Sequence, residues 1–240
     1  MIEKLEGIVL SCKDYSETSK LLSIITKKYG IISVIAKGAR NLKSDLRSSS
    51  DKLTYGYFNV YFNENKLSIL SSVDIIDNFK NIKKDIEKIS YASYILDLTG
   101  QIIKQTNKDI FDLLINSLIK INTMYDPMVI MNILEFKYLD LLGVCPVIDC
   151  CSKCGNTTSI ATISVRSAGY VCNKCLKNEK IYSDKTIKLI RMFYYLDISK
   201  ITKLQISEEV KNEINSFISE YYKEYTGIYL KSKEFIDNLN

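Results

Sequence analysis

Apolar and polar residues alternate with a period of two in five short runs: GIVLSCK from Gly7, KLLSIIT from Lys20, YGIISVIA from Tyr29, TYGYFNVYF from Thr54 and KLSILSSV from Lys66. That period sends successive side chains to opposite faces, so each run predicts a half-buried β-strand. In the first run Ile8, Leu10 and Cys12 are expected to share a face against Val9, Ser11 and Lys13, with Cys12 acting as a small buried hydrophobe. Tyr29-Gly30 predicts a turn between the second and third strands, and Asn63 to Asn65 a hairpin loop between the last two. Five such strands predict a small barrel, which removes exposed edges by closing on itself. OB-fold and SH3-like barrels share this pattern.

From about Phe79 the period lengthens to that of a helix. Ile82, Ile86, Ile89 and then Ile110, Leu113, Leu114, Leu118 mark amphipathic faces. Asp126-Pro127 reads as an N-cap followed by proline in the first turn of a helix that runs through LEFKYLDLL and stops at Gly143. Ser183 and Ser207 are candidate caps of two later helices, the second carrying Val210, Ile214, Phe217, Ile218, Tyr221 and Tyr225 on one face. The expected class is α+β and multidomain: a barrel over residues 1–78 and a helical domain over 79–240, with a cysteine-bearing insert at about 145–180. The sequence contains no internal repeat and no low-complexity linker.

Composition narrows the chemistry. A chain of 240 residues with 46% apolar content can bury real cores without disulfides. No run approaches the ~18 unbroken apolar residues of a membrane span, and the opening MIEKLEGIVLSCKDY is too interrupted by acidic and polar residues for a signal peptide. A cytoplasmic location is therefore expected, where seven cysteines stay reduced and paired spacings point to metal or redox chemistry. With no histidine, a Ser-His-Asp triad, a Cys-His dyad and a histidine-liganded catalytic zinc are all excluded. No GxxxxGK[ST] pattern for nucleotide phosphates is present either.

Cys151-x-x-Cys154 and Cys172-x-x-Cys175 are two matched pairs separated by 17 residues. Two thiolates at that spacing reach one Zn²⁺ from a tight turn, and Gly155 suits the turn after the first pair. Four cysteine ligands leave no coordination position for water, so the predicted zinc is structural. SIATISV and GY supply short strands between the pairs. Cys150 offers an alternative first ligand at spacing three, and Cys145 lies a little upstream. A thioredoxin-like redox site would use a single pair at a helix N-terminus and would leave the second pair unexplained.

Net charge is only +5, but AKGARNLKSDLR concentrates Lys37, Arg40, Lys43 and Arg47 against the single acid Asp45. Such a loop after a barrel strand can clamp a phosphate backbone; it can equally be a solvated charge cluster. Tyr55, Tyr57 and Tyr61 alternate with Phe58, Val60 and Phe62. If the second set faces the core, the tyrosines face outward, where bases can stack on them or helices can cover them.

The opening GIVLSCKDYSETSKLLSIITKKYG, the loop AKGARNLKS, and LDLLGVCP leading into CSKCG and GYVCNKC occur in an order that resembles the bacterial RecO family of recombination mediators over essentially the whole length. The resemblance implies an N-terminal OB-fold barrel followed by a helical domain with an inserted four-cysteine zinc ribbon. It implies a protein that is not an enzyme. Such a protein binds single- and double-stranded DNA and anneals complementary strands. With RecR, and often RecF, it helps load RecA onto DNA coated with single-stranded-DNA-binding protein. It assigns DNA contacts to Lys37, Arg40 and Lys43, which spacing extends to Arg47, and zinc ligation to Cys151, Cys154, Cys172 and Cys175. It also implies a cation-rimmed pocket on the helical domain for the acidic tail of the single-stranded-DNA-binding protein, to which Lys188, Arg191 and Lys203 are candidate contributors. Two alternatives stand beside it: a zinc-ribbon nucleic-acid-binding regulatory factor with sharp sequence specificity, and a thiol oxidoreductase cycling Cys151 and Cys154.

Overall fold

A computed structural model describes residues 2–63, 66–105 and 110–237. The expected hairpin loop at Asn63 to Asn65 falls largely outside the described residues. The chain forms two compact units, residues 1–122 and 123–240.

In the first unit, strands β1 (Ile2–Tyr15), β2 (Ser19–Thr26), β3 (Gly30–Ala36), β4 (Tyr55–Tyr61) and β5 (Ser68–Asp77) close into a barrel in the order β1-β2-β3-β5-β4. All seams are antiparallel except β3 with β5, which is parallel and, among the described residues, pairs Val34 with Ser68 and Ile35 with Ile69. Alternation places Leu22 and Ile24 of β2, Val34 of β3, and Phe58 and Val60 of β4 in one interior cluster. Strand β1 departs from the expected alternation. Val9 lies in the barrel core with Leu5, and a register shift between Val9 and Ser11 inserts Leu10 as an extra residue, so that Cys12 packs against the same cluster. Ile8 is wholly buried, and Leu10 faces Gly100, where an added Cβ would come within 3.0 Å of its Cδ2. The bulge resets which β1 side chains face the core, and apolar residues of β1 are buried on both faces.

The outward apolar residues need a cover. Helices α2 (Lys80–Lys83), α3 (Ile86–Ile102) and α4 (Phe111–Asn122) supply it, after a four-residue helix α1 (Leu46–Ser49) in the loop that follows β3. Asp85 caps α3 by accepting from the backbone N–H of Glu87 at 2.9 Å and Lys88 at 3.2 Å. Tyr55 turns outward against Phe79 and Phe111, with ring centroids 6.4 and 6.3 Å away. Sequence periodicity changes at 78/79, but the compact unit runs on to Asn122 because α2–α4 complete the burial of the barrel wall. Ile86, expected on an apolar face, is 68% exposed at the start of α3.

In the second unit α5 (Pro127–Leu141) is central: twelve of its fifteen residues are buried, too many for one amphipathic stripe. Asp126 caps it at Met128 and Val129 with Pro127 in the first turn, and Gly143 sits just past its end at φ +74°. Strands β6 (Ile160–Ser164) and β7 (Gly169–Cys172) form a hairpin, followed by α6 (Asp184–Tyr195), a 3-10 turn (Ile198–Lys200), α7 (Glu208–Tyr225) and α8 (Lys231–Asp237). Ser183 caps α6 through the N–H of Thr186, whereas Ser207 precedes α7 without a side-chain cap bond. Val210, Ile214, Phe217, Ile218 and Tyr221 are buried on α7; Tyr225 is half-buried, its hydroxyl donating to the Val165 carbonyl at 2.7 Å.

Val147 bridges to Gly169, its N–H donating to Ala168 and its carbonyl accepting from Tyr170, both at 2.8 Å. Gly169 has φ +151°, and a Cβ there would lie 2.3 Å from the Val147 carbonyl oxygen. Gly169→Ala is expected to cost about 3 kcal/mol or more, because only backbone displacement relieves the clash. A urea midpoint equal to that of the parent chain would show that the bridge is not a structural constraint.

Candidate metal centre and nucleic-acid interface

The first cysteine pair lies in the turn before the β6–β7 hairpin; the second begins at the last residue of β7. In the first turn the Gly155 N–H donates to the Cys151 carbonyl at 2.8 Å, and Gly155 takes φ +74°, which suits a residue without Cβ. In the second, the N–H groups of Cys175 and Leu176 donate to the Cys172 carbonyl at 2.9 and 3.0 Å. Register links the two turns, since Ile160 pairs with Cys172 and the Cys172 N–H points at the Cys151 sulfur, 3.4 Å away.

The four sulfurs of Cys151, Cys154, Cys172 and Cys175 all lie within 4.8 Å of one another, and Cys154 Sγ is 3.7 Å from Cys172 Sγ. A tetrahedral site with metal–sulfur bonds of about 2.3 Å has edges of about 3.8 Å, close to the spacing of Cys154 and Cys172, so the group could hold a tetrahedral metal. Cys151 and Cys172 are buried, Cys154 is exposed and Cys175 half-buried. Burial raises the Cys151 thiol, but backbone N–H groups of Cys172, Lys153 and Cys154 outweigh it and bring it down to about 6. Hydrogen bonding to Cys154, then burial, pushes Cys175 up to about 12. The cradle of N–H donors thus stabilises negative charge on sulfur. Cys150 and Cys145 stand outside this group. Neither pair opens a helix, the placement a thioredoxin-like pair requires.

An unforeseen ion pair ties the two turns together. Lys153 binds Glu179 and also reaches the Cys175 carbonyl at 3.4 Å, while Glu179 accepts from the Lys177 N–H at 2.6 Å. Lys153 first, then that N–H, holds the Glu179 carboxyl down to about 2. The partners are too distant in sequence to show any local pattern.

The cationic loop follows β3 directly as a chain of tight turns: Asn41 N–H donates to Gly38, Ser44 to Asn41 and Arg47 to Ser44, at 3.0 to 3.1 Å. Gly38 takes φ +70°, and buried Ala39 anchors the turn in the barrel core. The four predicted cations divide into two kinds. Lys37, Lys43 and Arg47 are exposed, and among the described residues their charged groups have no hydrogen-bond or ion-pair partner. Arg40 instead donates to the Ser16 carbonyl at 3.0 Å and pairs with Asp14 at 3.2 Å, fastening the loop to the β1–β2 turn. Sequence spacing could not reveal that pairing, because Asp14 is remote along the chain.

On β4, Phe58 and Val60 are fully buried and Tyr57 and Tyr61 are 38% and 51% exposed, so the tyrosines take the outer face. Lys4 lies 4.9 Å above the Tyr57 ring. Tyr55 is withdrawn from solvent chemistry: burial, then its 2.6 Å hydrogen bond to Glu6, raises its phenol far above the ordinary range. Phe62 stacks on Tyr29 with centroids 4.3 Å apart. Of the cations considered for partner contact, Arg191 is held by Asp149 at 2.9 and 3.1 Å, whereas Lys188 and Lys203 are exposed. No helix among the described residues is long and apolar enough to cross a membrane.

A closed five-stranded barrel bearing a cationic loop, together with a helical unit carrying four clustered thiols, defines an α+β protein with a candidate nucleic-acid surface and a candidate metal centre. Family comparison sharpens that class. The family model described as Recombination protein O N terminal matches residues 1–79, and that described as Recombination protein O C terminal matches residues 83–234. Proteins named DNA repair protein RecO from Bacillus velezensis and Listeria monocytogenes are 35% and 33% identical over the whole chain and 95% of their own length. That of Halalkalibacterium halodurans is 33% identical over the whole chain and 96% of its length. The chain belongs to the RecO family of DNA repair and recombination proteins.

Proposed function

We propose that this protein is a non-enzymatic recombination mediator that binds single- and double-stranded DNA through its barrel and anneals complementary strands. The observation that carries this reading is the compact loop presenting Lys37, Lys43 and Arg47 to solvent from a rigid barrel, in a chain of the RecO family. The strand order supports an OB-fold, a barrel type that binds oligonucleotides. Phosphate neutralisation by the loop displaces counterions and lowers repulsion between two strands held at high effective concentration. Tyr57 and Tyr61 add sequence-tolerant stacking surfaces. The mechanism needs neither nucleotide hydrolysis nor a catalytic side chain.

The four thiols hold a structural Zn²⁺ that fixes both cysteine turns at the base of the hairpin. RecR, the single-stranded-DNA-binding protein, RecA and, in some settings, RecF are the expected functional partners, in the cytoplasm at the nucleoid. Annealing of complementary oligonucleotides, each coated with the cognate single-stranded-DNA-binding protein, tests the proposal without nucleotide. Faster annealing at unrelated sequences is expected. DNA binding confined to one target sequence, without acceleration, would instead favour a zinc-ribbon regulatory factor.

A further inference from the structure

The helical unit contains a cleft of about 610 Å³ on the side of the β6–β7 hairpin, walled by the hairpin turn, the segment after the second cysteine pair, and Glu220 of α7. Four cations line it: Lys153, Arg166, Lys177 and Lys180. Lys153 is neutralised by Glu179. Arg166 and Lys177 are exposed, with no side-chain hydrogen bond or ion pair among the described residues, and Lys180 rests 4.7 Å above the Tyr182 ring. Among the described residues Glu220 is the only other acid in the wall, so the cleft keeps a positive excess.

Lys153 and Lys177 lie within two residues of a cysteine, but offsetting the charge of four metal-bound thiolates does not account for Arg166. Ser164 pairs with Gly169 and Ile160 with Cys172, so Arg166 sits at the far end of the hairpin, about 13 Å from the thiols at ~3.3 Å per residue. That distance exceeds the screening length of roughly 8 Å at physiological salt. An acidic peptide is a poorer occupant, because the apolar wall residues Ile163 and Val165 are buried and offer no cup for aliphatic side chains. Tyr182 is only 4% exposed, so bases find no stacking surface either.

We infer that this cleft binds a run of nucleic-acid phosphodiester backbone through Arg166, Lys177 and Lys180, as a polyanion site separate from the barrel loop. The inference rests on the DNA-binding reading above and adds a second binding element to it. Backbone contact of this kind positions a strand without reading its sequence.

The test uses the full-length metal-loaded chain and a fluorescent oligothymidine, with anisotropy titrations over a range of salt. Replacing Arg166, Lys177 and Lys180 by Ala is expected to lower the log-log salt slope by about 2, at roughly 0.7 per single-strand phosphate contact. Replacing Lys185, Lys223 and Lys231, which lie outside the cleft wall, removes equal charge and leaves the slope unchanged. Glu220→Gln is expected to tighten binding about threefold and requires no lost contact, so it decides the question if the triple variant folds poorly. Repeating the titration with a duplex separates the two sources of phosphodiester: a loss confined to the oligothymidine assigns the cleft to single strands, and an equal loss on both assigns it to either. An unchanged slope in the triple variant, or a slope equally reduced by the control set, overturns the inference. Failure of the parent chain to bind any DNA would instead overturn the DNA-binding reading itself.

Discussion

Cys172→Ala is expected to abolish the proposed zinc binding and to destabilise the helical unit by several kcal/mol. Cys172 is buried, caps the end of β7, and donates its N–H toward Cys151 while its sulfur lies 3.7 Å from that of Cys154. Its loss leaves three ligands, and structural zinc contributes its binding energy directly to folding. Metal analysis of the purified variant should fall from one equivalent to near zero, and the melting temperature should drop by roughly 10 °C or more. Cys150→Ala is expected to keep the metal, since its sulfur stands outside the cluster. Thiol titration gives an independent reading: the four clustered cysteines should become reactive only after chelation. Metal retained by the Cys172 variant, or lost from the Cys150 variant, would refute the assignment of ligands.

The second large effect concerns the barrel loop. Replacing Lys37, Lys43 and Arg47 together by Ala is expected to reduce the salt slope of duplex binding by about 2.7, at roughly 0.9 per phosphate, and of single-strand binding by about 2. Arg40→Ala should remove less slope than any of these three, because its charge is already offset by Asp14. Asp14→Asn releases that guanidinium and should steepen the slope by close to one contact. Equal slopes for parent and triple variant would reduce the loop to a solvated charge cluster.

Much of the architecture was legible because it depends on local periodicity. Alternation located all five barrel strands, and Asp126-Pro127 with Gly143 bounded α5 almost to the residue. Paired cysteines were legible for a related reason, since two ligands separated by two residues share one turn whatever the surrounding fold. Features that depend on distant residues were not. The β1 bulge puts Cys12 on the same side as Val9, against a clean alternating pattern, while helices over the outer wall allow Ile8 to be buried as well. Arg40 reads like its three neighbours in sequence, yet its partner comes from another turn. Arg166, Lys177 and Lys180 form no run, and only the hairpin brings them to one cleft.

Among the described residues the parallel seam between β3 and β5 joins two residue pairs, whereas β3 meets β2 over seven. Local opening follows the least-bonded edge of a structure. Amide protons along the start of β5 are therefore expected to exchange with solvent earlier than those of β1 and β2. Lys37 follows Ala36 at the end of β3, so the cations proposed to meet DNA are mounted beside the barrel's most easily parted edge. Strain placed on that loop by a bound strand is therefore expected to be relieved at this seam first.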